Sequence, residues 1–203
     1  MNILIISASP RKGSLSLRFA HYLKTTLIQF QTDTEVRILN FEEFDIPLSG
    51  RAILTRESLT GFQQELISSW EKAQIIFFCL PEYNWSTNGE VFIMLDQLGG
   101  RNFAHLFDEK IFAMIGVSSG RGGRIPALEV GKVVEKLISF LGKLSIVSPK
   151  IFEAHDVGKN LSELSVSSGN QVLEREVDDF VLYTYKLYNR WVKGAPQIKT
   201  RTF

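Results

Sequence analysis

Three short runs of this chain, Asn2 to Ser7, Gln74 to Leu80 and Lys110 to Val117, are apolar almost without a break. A strand with one wet face alternates apolar and polar residues, whereas a strand covered on both faces does not have to. Runs of this kind belong to parallel sheets, whose neighbouring strands need a crossover of a dozen or more residues. The spacing here provides it. Each run ends in a turn rich in Gly, Ser or Pro, and a segment of helical period follows.

After the first run Phe19, Leu23, Leu27 and Phe30 fall on one helical face, and after the third so do Leu128, Val130, Val133, Val134, Leu137 and Leu141. Glu35 to Leu39 reads as a second strand, and Leu144 to Val147 as a last one stopped by Pro149. Helices are expected near Leu59 to Lys72 and up to Leu98, and a C-terminal helix aligns Leu173, Val177, Phe180, Val181, Tyr188 and Trp191. Five strands alternating with helices suit an α/β doubly wound sheet, most economically the flavodoxin-like order 2-1-3-4-5. Without repeats or a linker, residues 1–193 form a single domain, and 194–203 read as a mobile tail.

Composition narrows the function. With 203 residues and a net charge of +1, the chain lacks the basic excess that nucleic-acid binding draws on. Its one cysteine, Cys79, excludes a disulfide framework and sits inside an apolar strand as a buried, inert thiol. His21, His105 and His155 have no ligand spacing, so no metal is expected. Glu42, Glu43 and Asp45 read as a solvated loop, and Ser118-Ser119 lacks the surroundings of a nucleophile elbow. Met1 leads directly into a strand, with no basic leader and no apolar run approaching a membrane span, so a cytoplasmic protein is expected.

In an open parallel sheet, ligands bind beyond the carboxyl ends of the strands where the strand order reverses. The three most unusual turns follow strands 1, 3 and 4, which would be neighbours there. With strands about 4.8 Å apart, three such loops span on the order of 10 Å, the length of a planar tricyclic ligand. Ser9 to Ser16 offers small residues, hydroxyls from Ser9, Ser14 and Ser16, the fork of Arg11 and a helix N-terminus, a combination that suits a phosphate. It has neither a Gly-Lys-Ser/Thr pair nor a G-x-G-x-x-G pattern, and it can also be read as a polar turn with a serine cap. Pro81-Glu82-Tyr83-Asn84 presents backbone amides and an aromatic to a heterocycle, or else is an ordinary connection. Ser118 to Gly123, with three glycines around Arg121, allows close backbone approach.

Ser9-Pro10-Arg11-Lys12-Gly13-Ser14, Pro81-Glu82-Tyr83-Asn84 and Ser118-Ser119-Gly120-Arg121-Gly122-Gly123 together resemble the motifs of the NADPH-dependent FMN reductase family, in order and spacing over about residues 1 to 150. The resemblance implies FMN as cofactor, its phosphate held by Ser9, Arg11, Ser14 and Ser16. It places the flavin ring against Pro81, Glu82, Tyr83 and Asn84, with Ser118 and Gly120 on the third loop. It also implies NADPH or NADH as co-substrate, a small-molecule electron acceptor (quinone, azo dye, metal oxyanion or free flavin), ping-pong kinetics, and a homodimer or homotetramer. No side chain need act as acid or base; Tyr83 is expected to shape the slot over the ring, and Arg121 or Arg124 to meet the nicotinamide nucleotide's phosphate.

Several positions depart from the family pattern. Ser16-Leu17 stands where an Asn-Arg pair is common, with Arg18 displaced by one. Trp85 takes a place that is usually small, which would narrow the slot. Val91 to Leu95 is a run of five apolar residues that one core cannot absorb, so part of that helix is expected to meet another subunit. A flavodoxin-type electron carrier is the nearest rival, but such carriers are strongly acidic and this chain is not. A non-catalytic binding protein on the same fold is the other.

Overall fold

A computed structural model describes residues 1–194, so the tail expected at 194–203 lies, from 195 onward, outside the described residues. The strands are β1 (Asn2–Ser7), β2 (Glu35–Asn40), β3 (Ile75–Pro81), β4 (Ile111–Val117), β5 (Ile146–Val147) and β6 (Phe152–Ala154). The helices are α1 (Leu15–Phe30), α2 (Gly61–Lys72), α3 (Gly89–Leu98), α4 (Arg124–Phe140), the single turn α5 (Val157–Asn160), and α6 (Gln171–Leu187). Every strand pairing is parallel and the order is β2-β1-β3-β4-β5, as the sequence predicts. Among the described residues no helix is long and apolar enough to cross a membrane.

The apolar runs follow from burial on both faces. Successive side chains point to opposite sides of the sheet, so Leu4, Ile6, Ile76, Phe78, Phe112 and Met114 join the core under α2, α3 and α4. Ile3, Ile5, Phe77, Cys79, Ile111, Ala113 and Ile115 join the core under α1 and α6. Trp70 anchors the first core, its ring edge-on to Phe78 and its indole N–H donating to the Leu106 carbonyl at 2.7 Å. The second packs Phe19, Phe152, Phe77 and Phe180 ring against ring.

The fifth position in the sheet differs from expectation. β5 pairs only with Ile111 and Phe112; the chain detours at Pro149, which has no N–H to donate, and returns as β6 against Ile115 to Val117. The helix faces also shift. α4 buries Pro126, Ala127, Val130, Gly131, Val134 and Ile138, leaving Leu128 48% exposed. Phe30 and Trp191, expected on buried faces, are exposed. On α3, Val91, Met94, Leu95 and Leu98 are buried while Phe92 and Ile93 are half-buried.

Candidate functional site

β1 ends at Ser7 opposite Cys79, and two residues further on β3 and β4 end together, Pro81 opposite Val117. That register brings the loops after β1, β3 and β4 around one cleft of about 300 Å3, near the lower end for small-molecule sites. Ser9, Arg11, Ser14 and Ser16 line it, as do Pro81, Glu82 and Tyr83, so seven of the ten residues singled out from sequence meet there. The remaining three, Asn84, Ser118 and Gly120, do not line it.

The first loop gathers the donors that an anion would use. Gly13 adopts a left-handed φ of +58°, which glycine does without steric cost. Ser14 caps α1, its Oγ accepting from Leu17 N–H at 3.1 Å. That satisfies one first-turn donor and leaves the N–H groups of Leu15 and Ser16 without helical partners. Ser16 is 1% exposed and its hydroxyl is unpartnered, yet it forms part of the cleft wall. A buried hydroxyl in that condition costs stability unless something binds it. Arg18, in contrast, is drawn off to the Leu161 carbonyl at 3.2 Å.

Tyr83 ties the second loop to the first. Its hydroxyl lies 2.6 Å from Ser9 Oγ, and the Arg11 guanidinium stacks 4.1 Å from its ring centroid. Beyond it the chain folds into a tight turn: Tyr83 N–H donates to the Ser86 carbonyl at 2.7 Å and Ser86 N–H to the Tyr83 carbonyl at 3.2 Å. The two central residues, Asn84 and Trp85, have φ of +51° and +65°, the double left-handed pattern of a type I′ turn. Both are exposed, Trp85 at 79%, at the tip of the turn and outside the cleft wall. Ser86 fastens the turn to α4 through Glu129 at 2.8 Å.

The third loop is held from two sides. Gly123 N–H donates to the Glu82 carboxylate, and Gly122 N–H donates to His155 Nδ1 at 3.1 Å. Ser118 and Gly120 face β6 and α5: Ser118 N–H donates to the Ala154 carbonyl at 3.0 Å, and the Gly120 carbonyl accepts from Asp156 N–H at 2.8 Å. It is Ser119 that reaches the cleft. Gly116 is indispensable here, since a Cβ on it would lie 1.8 Å from the Gly123 carbonyl oxygen. A glycine inside an otherwise apolar strand is a sequence signal for such close approach. His155 left no comparable signal.

Two neighbouring groups bear on the chemistry. Arg124 is paired with Glu153. Cys79 is fully buried, and burial pushes its thiol far above the ordinary range, which removes it as a nucleophile. The donor set that remains, backbone N–H groups, serine hydroxyls and one arginine, fits an anionic group at the α1 end of the cleft.

The sequence profile of the NADPH-dependent FMN reductase family matches residues 1–139. Among solved structures, the flavoenzyme NAD(P)H:(acceptor) oxidoreductase FerB from Paracoccus denitrificans superposes with a TM-score of 0.67 at 16% identity, covering 95% of this chain and 97% of that one. The apo form of the NADH:FMN oxidoreductase EMOB gives 0.57 at 16% identity, covering 98% and 91%. An azoreductase from Bacillus anthracis str. Sterne gives 0.53 at 15% identity, covering 94% and 99%. These likenesses establish a shared fold. No curated protein matched the sequence significantly.

Proposed function

The chain belongs to the NADPH-dependent FMN reductase family, whose members are NAD(P)H-dependent FMN oxidoreductases, and we propose that the cleft between its first, second and third loops is where it holds FMN. The observation carrying this is the buried, unpartnered Ser16 hydroxyl in the wall of a cleft at the N-terminus of a 16-residue helix. Ser9, Ser14, Ser16 and Arg11 would hold the phosphate. Pro81, Glu82, Tyr83 and Ser119 would frame the ring, with Asn84, Ser118 and Gly120 supporting their loops from outside the cleft wall. Bound there, FMN would supply the two-electron redox chemistry between nicotinamide and acceptor.

The protein's part is placement. Arg11 adds a charge-assisted fork at the phosphate end, Tyr83 keeps loops one and two in fixed relation, and Glu82 sets the height of the glycine loop through Gly123. With Arg124 engaged by Glu153, Arg121 is the better candidate for the nicotinamide nucleotide's phosphate, the donor being NADPH or NADH. Half-buried Phe92 and Ile93 on α3, with exposed Ile125 and Leu128 on α4, leave apolar surface that a homodimer or homotetramer would cover. A monomer by light scattering at micromolar concentration would contradict that assembly. The acceptor is read as a quinone, azo compound, metal oxyanion or free flavin, reduced in alternation with the nicotinamide by a cytoplasmic enzyme.

The direct experiment is purification without added flavin. We expect a yellow protein that releases one FMN per chain on denaturation and oxidises NADPH with parallel-line kinetics against acceptor. A colourless protein that refuses added FMN would overturn the reading.

A further inference from the structure

The histidine behind the glycine loop carries an inference of its own. Gly122 N–H donates to His155 Nδ1, a contact that nitrogen can make only while the ring's own proton is on Nε2. His155 is otherwise firmly placed: its carbonyl accepts from Asn160 Nδ2 at 3.0 Å, and it sits between β6 and α5. Those two elements already brace the loop through Ser118, Gly120 and Val157. On the loop's other side, Glu82 accepts from the adjoining residue, Gly123. Two consecutive glycine amides are thus held by two side-chain acceptors from different parts of the chain. One of the acceptors is a residue type that gains a proton near neutral pH.

We propose that His155 is a positioning residue: its neutral Nδ1 holds the glycine loop in the shape that receives FMN, and protonation of that nitrogen lets the loop go. This rests on the FMN reading above. An imidazolium has a donor at both nitrogens and can accept from neither. On protonation Gly122 N–H therefore loses its partner and meets another N–H in its place. The groups around the ring are of mixed sign. Glu153 Oε2 lies 4.0 Å from Nε2, Asp156 follows in sequence, and Glu176 and Asp179 of α6 share a groove with the ring. Lys150 lines the same groove, Arg121 is on the loop, and Arg124 opens α4 on Glu153.

The test uses the full chain with two variants. In 15N-labelled, FMN-free protein the Gly122 amide signal should shift with pH and share its midpoint with the His155 ring protons. In His155→Leu it should not titrate, and it should exchange faster at every pH. The FMN dissociation constant, read from flavin fluorescence, should weaken about three- to tenfold as wild type crosses that midpoint toward acid, the worth of one hydrogen bond. His155→Leu should be weak on both sides. His155→Asn places its Oδ1 where Nδ1 stood, so it should keep neutral-pH affinity within about twofold and lose the pH dependence. A Gly122 amide indifferent to His155, or a His155→Leu variant with the wild-type pH profile, overturns the proposal. Wild type that takes no FMN at any pH defeats the FMN reading instead, and the amide titration still decides whether His155 holds the loop.

Discussion

The hydroxyls of Ser9 and Tyr83 lie 2.6 Å apart across 74 residues of sequence, and they join the loop after β1 to the loop after β3. Two loops that meet only at their strands would be free to splay at their tips. This bond, with Arg11 stacked on the Tyr83 ring, fixes the mouth of the cleft between them.

Tyr83→Phe removes the hydroxyl and keeps the ring beneath Arg11. We expect FMN affinity to fall about three- to tenfold, in line with one hydrogen bond of 0.5–1.5 kcal/mol. Ser9→Ala also removes a hydroxyl from the phosphate end, so it should cost more, and the double variant should be little worse than Ser9→Ala alone. Fluorescence titrations arranged as a double-mutant cycle measure that coupling. Strict additivity would mean that the two hydroxyls act separately.

Ser16 should show stability and binding moving in opposite directions. Its unpartnered buried hydroxyl is a cost to the FMN-free fold, and Ala is also the better helix former. Ser16→Ala should therefore raise the stability of FMN-free protein by about 1 kcal/mol in urea unfolding while weakening FMN binding. A variant less stable than wild type and unchanged in FMN affinity would remove Ser16 from the phosphate site.

The parts of this design written locally were legible in the sequence. Ile3 to Ile6 and Gln74 to Leu80 announce a doubly covered sheet because burial on two faces leaves no polar alternation to imitate another structure. The cleft was legible because strand order and loop chemistry converge on it. β6 was not, since Phe152–Ala154 is three residues with Glu153 in the middle, defined only by its pairing with β4. On α4 only Leu128 departs from expectation: Val130 and Val134 are buried and Val133, Leu137 and Leu141 pack against the core. The rest of the buried stripe is Pro126 and the small residues Ala127 and Gly131, whose weak apolar signal let the larger Leu128 stand in for them. The His155–Gly122 contact joins a side chain to a distant backbone amide and has no periodicity at all.

Lys110 gives a pH dependence remote from the cleft. Its ammonium is buried at the end of α2, donating to the Ala73 carbonyl at 2.6 Å and the Glu71 carbonyl at 3.3 Å. Burial lowers its pKa to about 8, although Asp108, Glu71 and Glu109 pull the other way. An unfolded lysine titrates near 10.4, so between these values the unfolded chain binds more protons and stability rises with pH. The cost of burying the charge is in full force below about pH 8 and fades as pH climbs toward 10. Urea unfolding at several pH values should give wild type a more positive slope than Lys110→Met over that window. Equal slopes would show that Lys110 titrates normally.

Trp85 is the strained point of the second loop. A bulky side chain in the left-handed region costs about 1–2 kcal/mol, and the second central position of a type I′ turn is where glycine is at home. Here that position holds a tryptophan, 79% exposed at φ +65° and buried against nothing that would offset the strain. Trp85→Gly should thus stabilise the protein by about 1 kcal/mol, read as a higher midpoint in thermal or urea unfolding, with the turn kept in place by Ser86 and Glu129. A destabilised Trp85→Gly protein would show that the indole is packing rather than strained.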